Sequence, residues 1–171
     1  MLKKKTKSPT SILRKIKFLL LDVDGVMTDG GIYYSTSGEE LKKFDIKDGY
    51  GIVKLQQAGI RIGILTGRMS NIVARRAADL GITEVHQNLE NKLGTYQSII
   101  SRLQLLDSEV AYIGDDEFDL EVLKRVGFSA APADAMPEVK KIVHYVCDST
   151  GGNGAVREVI NFILSKRKQT R

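Results

Sequence analysis

The sequence predicts an α/β fold: a Rossmann-like, mostly parallel sheet with helices on both faces, a β-hairpin flap over one end, and no cap domain. Three observations predict it. Apolar strand-like runs and helical runs alternate from Lys17 to Leu164. The first run, Phe18-Leu19-Leu20-Leu21, is apolar throughout, as a buried strand is. Three such runs end on a polar residue, Asp22, Thr66 and Asp115, and in open α/β sheets ligands gather beyond the carboxyl ends of the strands.

Taken in order, Lys17–Leu21 is the first strand, and it stops at Asp22 and Asp24. Residues two apart in an extended chain face the same way, so two carboxylates leave one side. "GGIYYSTSGEELKKFDIKDG" has two alternating stretches around Ser37-Gly38, a hairpin standing over the Asp22 end. Asp48–Ala58 is helical, with Ile52, Val53 and Leu55 inward and Gly59 as its stop. Ile60–Thr66 is a strand, and Ser70–Leu80 a helix ending at Gly81. Lys92–Leu103 is helical, Glu109–Asp115 is a strand, and a helix follows through Glu117–Val126. "FSAA" and "IVHYVC" read as short late strands, and "GGNG" opens a last helix, Ala155–Leu164. Between Thr66 and Lys92 there is room for one helix and one short strand, so no second domain is inserted there.

The domain is expected to span 17–164, between a basic N-terminal tail, 1–16, and a basic C-terminal tail, 165–171. Residues 1–17 hold seven basic side chains and 165–171 hold four, with no acid in either. The net charge is +5, but without these ends 15 basic and 21 acidic residues remain, a net −6. The basic excess therefore reads as two solvated, frayed ends, and no nucleic-acid partner is expected. No apolar run has the length needed to cross a bilayer, so no membrane partner is expected either. A single cysteine, Cys147, and no signal-peptide hydrophobic segment point to the cytosol.

Asp22, Asp24 and Asp115 at one sheet edge cannot all ionise side by side without a partner, and a hard cation such as Mg²⁺ is the natural one. Mg²⁺ favours one or two carboxylates together with a substrate phosphate. Thr66 and the backbone after it, with Lys92, can supply donors to that phosphate. A cation at a helix start is unfavourable, so Lys92 there suggests an anion nearby. A carboxylate beside a metal can attack phosphorus, and a second one two residues on can serve as acid and base.

The motifs Asp22-Val-Asp24-Gly25, Thr66-Gly67, Lys92 and Gly114-Asp115-Asp116 with Asp119 occur in this order. Together they resemble the haloacid dehalogenase superfamily of aspartate-nucleophile phosphatases. "DVDGVMTDGGIYY", "KKFDIKDGYGI", "ILTGR", "AYIGDD" and "GGNGAVREVI" are similar, more narrowly, to the 3-deoxy-D-manno-octulosonate 8-phosphate phosphatases. These are capless members whose product feeds lipopolysaccharide synthesis in Gram-negative bacteria. The resemblance implies Asp22 as nucleophile and metal ligand. It implies Asp24 as acid/base with its backbone carbonyl toward Mg²⁺, and Asp115 as the remaining protein ligand. Thr66, Gly67 and Lys92 would hold phosphate. Asp45, Ile46, Lys47, Asp48 and Gly49, with Arg68 and Arg76, would meet the sugar acid, and the assembly would be a homotetramer. Asp116 and Asp119 are both available to support the metal shell or Lys92.

Plainer readings accompany several of these residues. Arg68 and Arg76 could be solvated helix residues, and capping alone would explain Asp48. His86 and His144 sit in strand-like contexts without a second ligand, Tyr33 and Tyr34 read as hairpin packing, and Cys147 as a buried small residue. Two other functions share the scaffold: a phosphatase of a nine-carbon sialic-type sugar 9-phosphate, and a non-catalytic binding protein. The resemblance implies an acidic residue in the nine-carbon enzymes where Arg68 stands, which favours the eight-carbon acid.

Overall fold

The computed structural model describes residues 9–37 and 40–167. In chain order the strands are β1 (Phe18–Leu21), β2 (Tyr33–Tyr34), β3 (Glu40–Leu41), β4 (Arg61–Leu65), β5 (Glu84–His86), β6 (Val110–Ile113), β7 (Phe128–Ala131) and β8 (Tyr145–Val146). The helices are α1 (Pro9–Leu13), α2 (Ile46–Gln57), α3 (Asn71–Asp79), α4 (Lys92–Arg102), α5 (Leu120–Leu123), α6 (Pro137–Ile142) and α7 (Ala155–Arg167). Six strands form one parallel sheet in the order β5-β4-β1-β6-β7-β8, and β2 and β3 form the separate antiparallel hairpin.

Alternation along β1 divides the core in two. Leu19 and Leu21 join a cluster with Ile52 and Leu55 of α2, Val73 of α3 and Val159 and Ile163 of α7. Phe18 and Leu20 face the other way, onto Tyr96 and Ile99 of α4 and Val122 of α5. β1 is thus buried on both faces, which is why it carries no polar residue until it ends. On α7 the buried positions Ala155, Val156, Val159, Ile160, Ile163 and Leu164 follow the helical repeat that makes one apolar stripe.

The register places the site. Leu21 of β1 lies level with Ile64 of β4 and Ile113 of β6. The residues just beyond them, Asp22, Thr66 and Asp115, therefore leave the same edge of the sheet side by side.

Several boundaries differ from expectation. Pro9–Leu13 is helical, and Leu13 and Ile16 are wholly buried in the main core, so the packed body begins before residue 17 and that end is not frayed from residue 9 on. α7 runs to Arg167, past the expected start of a tail at 165. Residues 1–8 and 168–171, and the hairpin tip at Gly38, lie outside the described residues. The expected helix 117–126 is a 3₁₀ turn, Glu117–Asp119, followed by the four-residue α5. The carboxylate of Asp119 is turned inward there, taking the amides of Asp115 and Asp116. The "IVHYVC" strand shrinks to Tyr145–Val146 because Pro137 starts a helix that takes Ile142.

Candidate active site

Lys92, the first residue of α4, is 3% exposed, and its ammonium is held between two carboxylates. Nζ lies 2.8 Å from Asp22 Oδ1 and 2.6 Å from Asp119 Oδ1, and donates to Tyr112 Oη at 3.3 Å. Burial pulls the Lys92 pKa down, but Asp22 and Asp119 outweigh it and hold it above the ordinary lysine value. The ammonium stays charged. The ring of Phe118 lies 5.2 Å from it and packs against Gly67, covering the pair from solvent.

Asp119 answers the choice between two acids. It is fully buried and accepts from Lys92, from the Tyr112 hydroxyl, and from the amides of Asp115 at 2.9 Å and Asp116 at 3.3 Å. It anchors both Lys92 and the loop that carries Asp115. Asp116 points outward and caps Glu117 N at 2.7 Å.

The chemistry of the remaining carboxylates fits a divalent cation. Oxygens of Asp22, Asp115 and Asp119 lie within 4.8 Å of one another. Asp115 Oδ1 is buried and accepts no hydrogen bond. Burial above all, and then a neighbouring carboxylate, pushes the pKa of both Asp22 and Asp115 well up. A hard cation would supply the missing positive charge and take the orphaned oxygen. Asp119 has already committed its oxygens, so Asp22 and Asp115 are the side chains with ligand capacity to spare. The turn between them is tight. Gly25 has φ +82°, and a Cβ there would lie 2.0 Å from Asp115 Oδ2. Only glycine fits.

Asp24 is half-buried just outside the core. Its carboxylate pairs with Lys42 Nζ, and Arg68 Nε lies 3.9 Å from its other oxygen. Lys42 is a residue that sequence reasoning missed: on the hairpin it is one of several charged positions, and nothing in the local pattern singles it out. A cleft of about 780 Å³ opens beside it, lined by Leu41, Lys42, Met69, Ser70, Ile72 and Arg75. Thr66 is 2% exposed at the head of this edge, with its amide and carbonyl tied to His86 O and Leu89 N.

Asp45–Gly49 and Arg76 form a second cluster. Asp45 caps α2 through the amides of Lys47 and Asp48. Arg76 Nη2 donates to Asp45 O at 3.4 Å, its guanidinium lies 5.5 Å from the Phe44 ring, and a Cβ on Gly49 would collide with it. Ile46 is 83% exposed. Asp48 is buried and takes the amides of Arg157 at 2.7 Å and Gly154 at 3.3 Å, capping α7 from outside its own helix. Among the described residues, none of this cluster's hydrogen bonds or ion pairs runs to Asp22, Asp24, Lys92 or Asp115.

The other singled-out residues behave structurally, with one exception. His86 pairs with Glu84, His144 sits 2.8 Å from Ser129 Oγ, and burial pushes the Cys147 thiol up to about 12. The exception is Tyr34, 73% exposed, whereas Tyr33 lies against Gly31 and donates its hydroxyl to Asp29 at 2.7 Å.

A parallel sheet with an aspartate pair after its first strand, a threonine after the next, a buried lysine and a carboxylate loop defines a haloacid dehalogenase-like hydrolase. The family model of that description matches residues 77–160. A 3-deoxy-D-manno-octulosonate 8-phosphate phosphatase, KdsC, of Yersinia pestis is 48% identical over 149 residues, 87% of this chain and 80% of the relative. The KdsC phosphatase of Escherichia coli K12 is 45% identical over 87% of this chain and 79% of its own length. The crystal structure of the Yersinia pestis phosphatase superposes with a TM-score of 0.91 at 44% identity, covering 94% of this chain and 86% of the other. The Moraxella catarrhalis phosphatase, crystallised with a magnesium ion, a phosphate ion and a KDO molecule, superposes with a TM-score of 0.90 at 39% identity, covering 92% and 91%. The chain belongs to the KdsC family of 3-deoxy-D-manno-octulosonate 8-phosphate phosphatases.

Proposed function

We propose that this protein hydrolyses 3-deoxy-D-manno-octulosonate 8-phosphate to 3-deoxy-D-manno-octulosonate and phosphate, with Mg²⁺ as cofactor. The observation that carries the reading is the Lys92 ammonium clamped between Asp22 and Asp119 next to an orphaned Asp115 oxygen. Asp22 and Asp115, with the backbone carbonyl of Asp24, would hold the cation. When bound, it neutralises charge between the nucleophile and the phosphoryl oxygens.

Lys92, Thr66 and the backbone at Gly67 orient the phosphoryl group by donating to its oxygens. An oxygen of Asp22 attacks phosphorus and the bond to the sugar oxygen breaks, leaving an aspartyl-phosphate. Asp24 gives its proton to the departing alkoxide. It then takes a proton from the water that attacks the aspartyl-phosphate, so phosphate leaves, Asp22 is restored and Asp24 is again protonated. Lys42 positions Asp24 from the hairpin, and Phe118 keeps water from the Lys92 pair.

Arg68 stands beside Asp24 and next in the chain to Met69, which lines the cleft, and the far end of the substrate is proposed to lie on that side. A guanidinium fork suits a carboxylate, which the sugar acid carries. Asp45–Gly49 and Arg76 are proposed to meet sugar from a second protomer of a homotetramer, since their own cluster sits apart from the nucleophile. Exposed Ile32, Tyr33, Tyr34 and Leu41 on the hairpin supply an apolar surface for that assembly. Among the described residues no helix is long and apolar enough to cross a membrane, and a sugar-phosphate substrate with one buried thiol suits the cytosol.

The test is kcat/KM on 3-deoxy-D-manno-octulosonate 8-phosphate, a nine-carbon 9-phosphate and an aryl phosphate. The eight-carbon substrate is expected to win. A preference for the nine-carbon acid would move the protein to that specificity.

A further inference from the structure

β6 is buried along its length and carries one side-chain hydroxyl. Tyr112 stands level with Leu20 of β1 and Ser129 of β7, 0% exposed, in the cluster that holds Phe18, Leu20 and Tyr96. Phenylalanine would serve the packing, because a buried hydroxyl must find partners to offset its lost hydration. Here it has two. It donates to Asp119 Oδ1 and accepts from Lys92 Nζ at 3.3 Å. Burial first, and then the Asp119 charge, push its phenol well above the ordinary value, so it remains a donor.

The donors of Lys92 give this hydroxyl a further meaning. An ammonium has three N–H groups and no acceptor. Three oxygens stand around this one: Asp119 Oδ1 at 2.6 Å, Asp22 Oδ1 at 2.8 Å and Tyr112 Oη at 3.3 Å. A phosphoryl oxygen that receives a bond from Lys92 must take the place of one of them. The carboxylates hold the ammonium by charge and at short range. The phenol is neutral and the most distant. Releasing it strands no buried donor, because its own proton still goes to Asp119. The ring cannot follow a departing ammonium, since it is packed in the core on a strand flanked by β1 and β7.

We propose that Tyr112 is a positioning residue that holds the third N–H of Lys92 and yields it to the incoming phosphoryl oxygen. The proposal rests on the reading of Lys92 as a phosphate donor. Its consequence is the reverse of what deleting a supporting hydrogen bond does. In Tyr112→Phe the N–H loses its acceptor in the free enzyme but not in the phosphate complex, whereas Asp119 loses a donor in both. Phosphate should therefore bind more tightly, by roughly two- to tenfold, the contribution of one neutral hydrogen bond.

The test is titration calorimetry of inorganic phosphate into the full chain at saturating Mg²⁺, with KM measured on 3-deoxy-D-manno-octulosonate 8-phosphate. In Tyr112→Phe the phosphate Kd and KM are expected to fall together while kcat does not rise, because the added binding is common to ground and transition states. A hydroxyl that only supported the fold would give weaker phosphate binding and a higher KM. That result, or an unchanged Kd, would overturn the proposal. Wild-type protein isotope-labelled at the tyrosine ring Cζ gives a reading that needs no variant. Phosphate is expected to shift the Tyr112 resonance, and a resonance that stays in place would overturn the proposal as well. Lys92→Gln should weaken phosphate binding strongly. Wild-type affinity in that variant would remove Lys92 from the phosphate site and the proposal with it. Weak binding there beside an unchanged Kd in Tyr112→Phe would leave the phosphatase reading standing and sink the proposal alone.

Discussion

A buried carboxylate oxygen with no donor, such as Asp115 Oδ1, is costly unless a positive charge meets it. Mg²⁺ is therefore expected to raise the melting temperature of the protein, and Asp115→Asn to abolish the rise while keeping the fold. Calorimetry with and without Mg²⁺ decides it, and an undiminished shift in the variant would remove Asp115 from the ligand set. Arg68→Ala should lower kcat/KM on the sugar-acid phosphate by roughly ten- to a hundredfold, the loss of one charge-assisted contact, and spare an aryl phosphate. An equal drop on both would put Arg68 in the phosphate site. At this scale Asp22 and Asp115 are legible because each closes an apolar run, and Asp24 because it stands two residues past Asp22. Lys42 and Phe118 are not, because their role comes from the hairpin and the 3₁₀ turn folding back on the sheet edge, and no spacing along the chain records that.

The elements that carry the site are tied to one another by backbone contacts. A Cβ on Gly151 would lie 1.9 Å from Gly25 O, and Gly152, at φ +61°, donates its amide to Val26 O at 3.0 Å. The "GGNG" loop thus buttresses the turn after Asp24 in its own chain. Arg157, just after that loop, is engaged with Asn161, Lys47 O and the Tyr50 ring. Asp48 joins α2 to α7. Burial, partly offset by the Arg157 amide, pushes its pKa up to about 6 from 3.8. The folded state therefore holds this proton more tightly than the unfolded chain does. The stabilisation from protonated Asp48 is complete below about pH 4 and is lost as pH rises through about 6, a change on the order of a few kcal/mol. Relative to Asp48→Asn, the wild type should lose stability between pH 4 and 7. Parallel denaturation curves across that range would refute it. The main strands and helices were readable from periodicity, but α1 and α6 were not, nor were the ends of α5 and β8, since an inward carboxylate and a proline reset them.

At the scale of the whole molecule, the parallel sheet order follows from strand–helix alternation, and the convergence of its three polar strand ends follows from register. What alternation cannot reveal is which surfaces another chain covers. The exposed hairpin apolar residues and the separate Asp45–Arg76 cluster both fit a multi-chain site, so light scattering is expected to give a tetramer. An active monomer at micromolar concentration would count against shared sites.

The account rests on Asp22 as nucleophile. Rapid quenching of the wild type with 3-deoxy-D-manno-octulosonate 8-phosphate and Mg²⁺, followed by mass spectrometry of the peptide containing Asp22, is expected to find a phosphoryl group on that residue. Asp22→Asn should show neither adduct nor turnover. A variant that kept a tenth of wild-type kcat would have lost only about 1.4 kcal/mol of barrier stabilisation, far too little for a missing nucleophile, and would contradict the account.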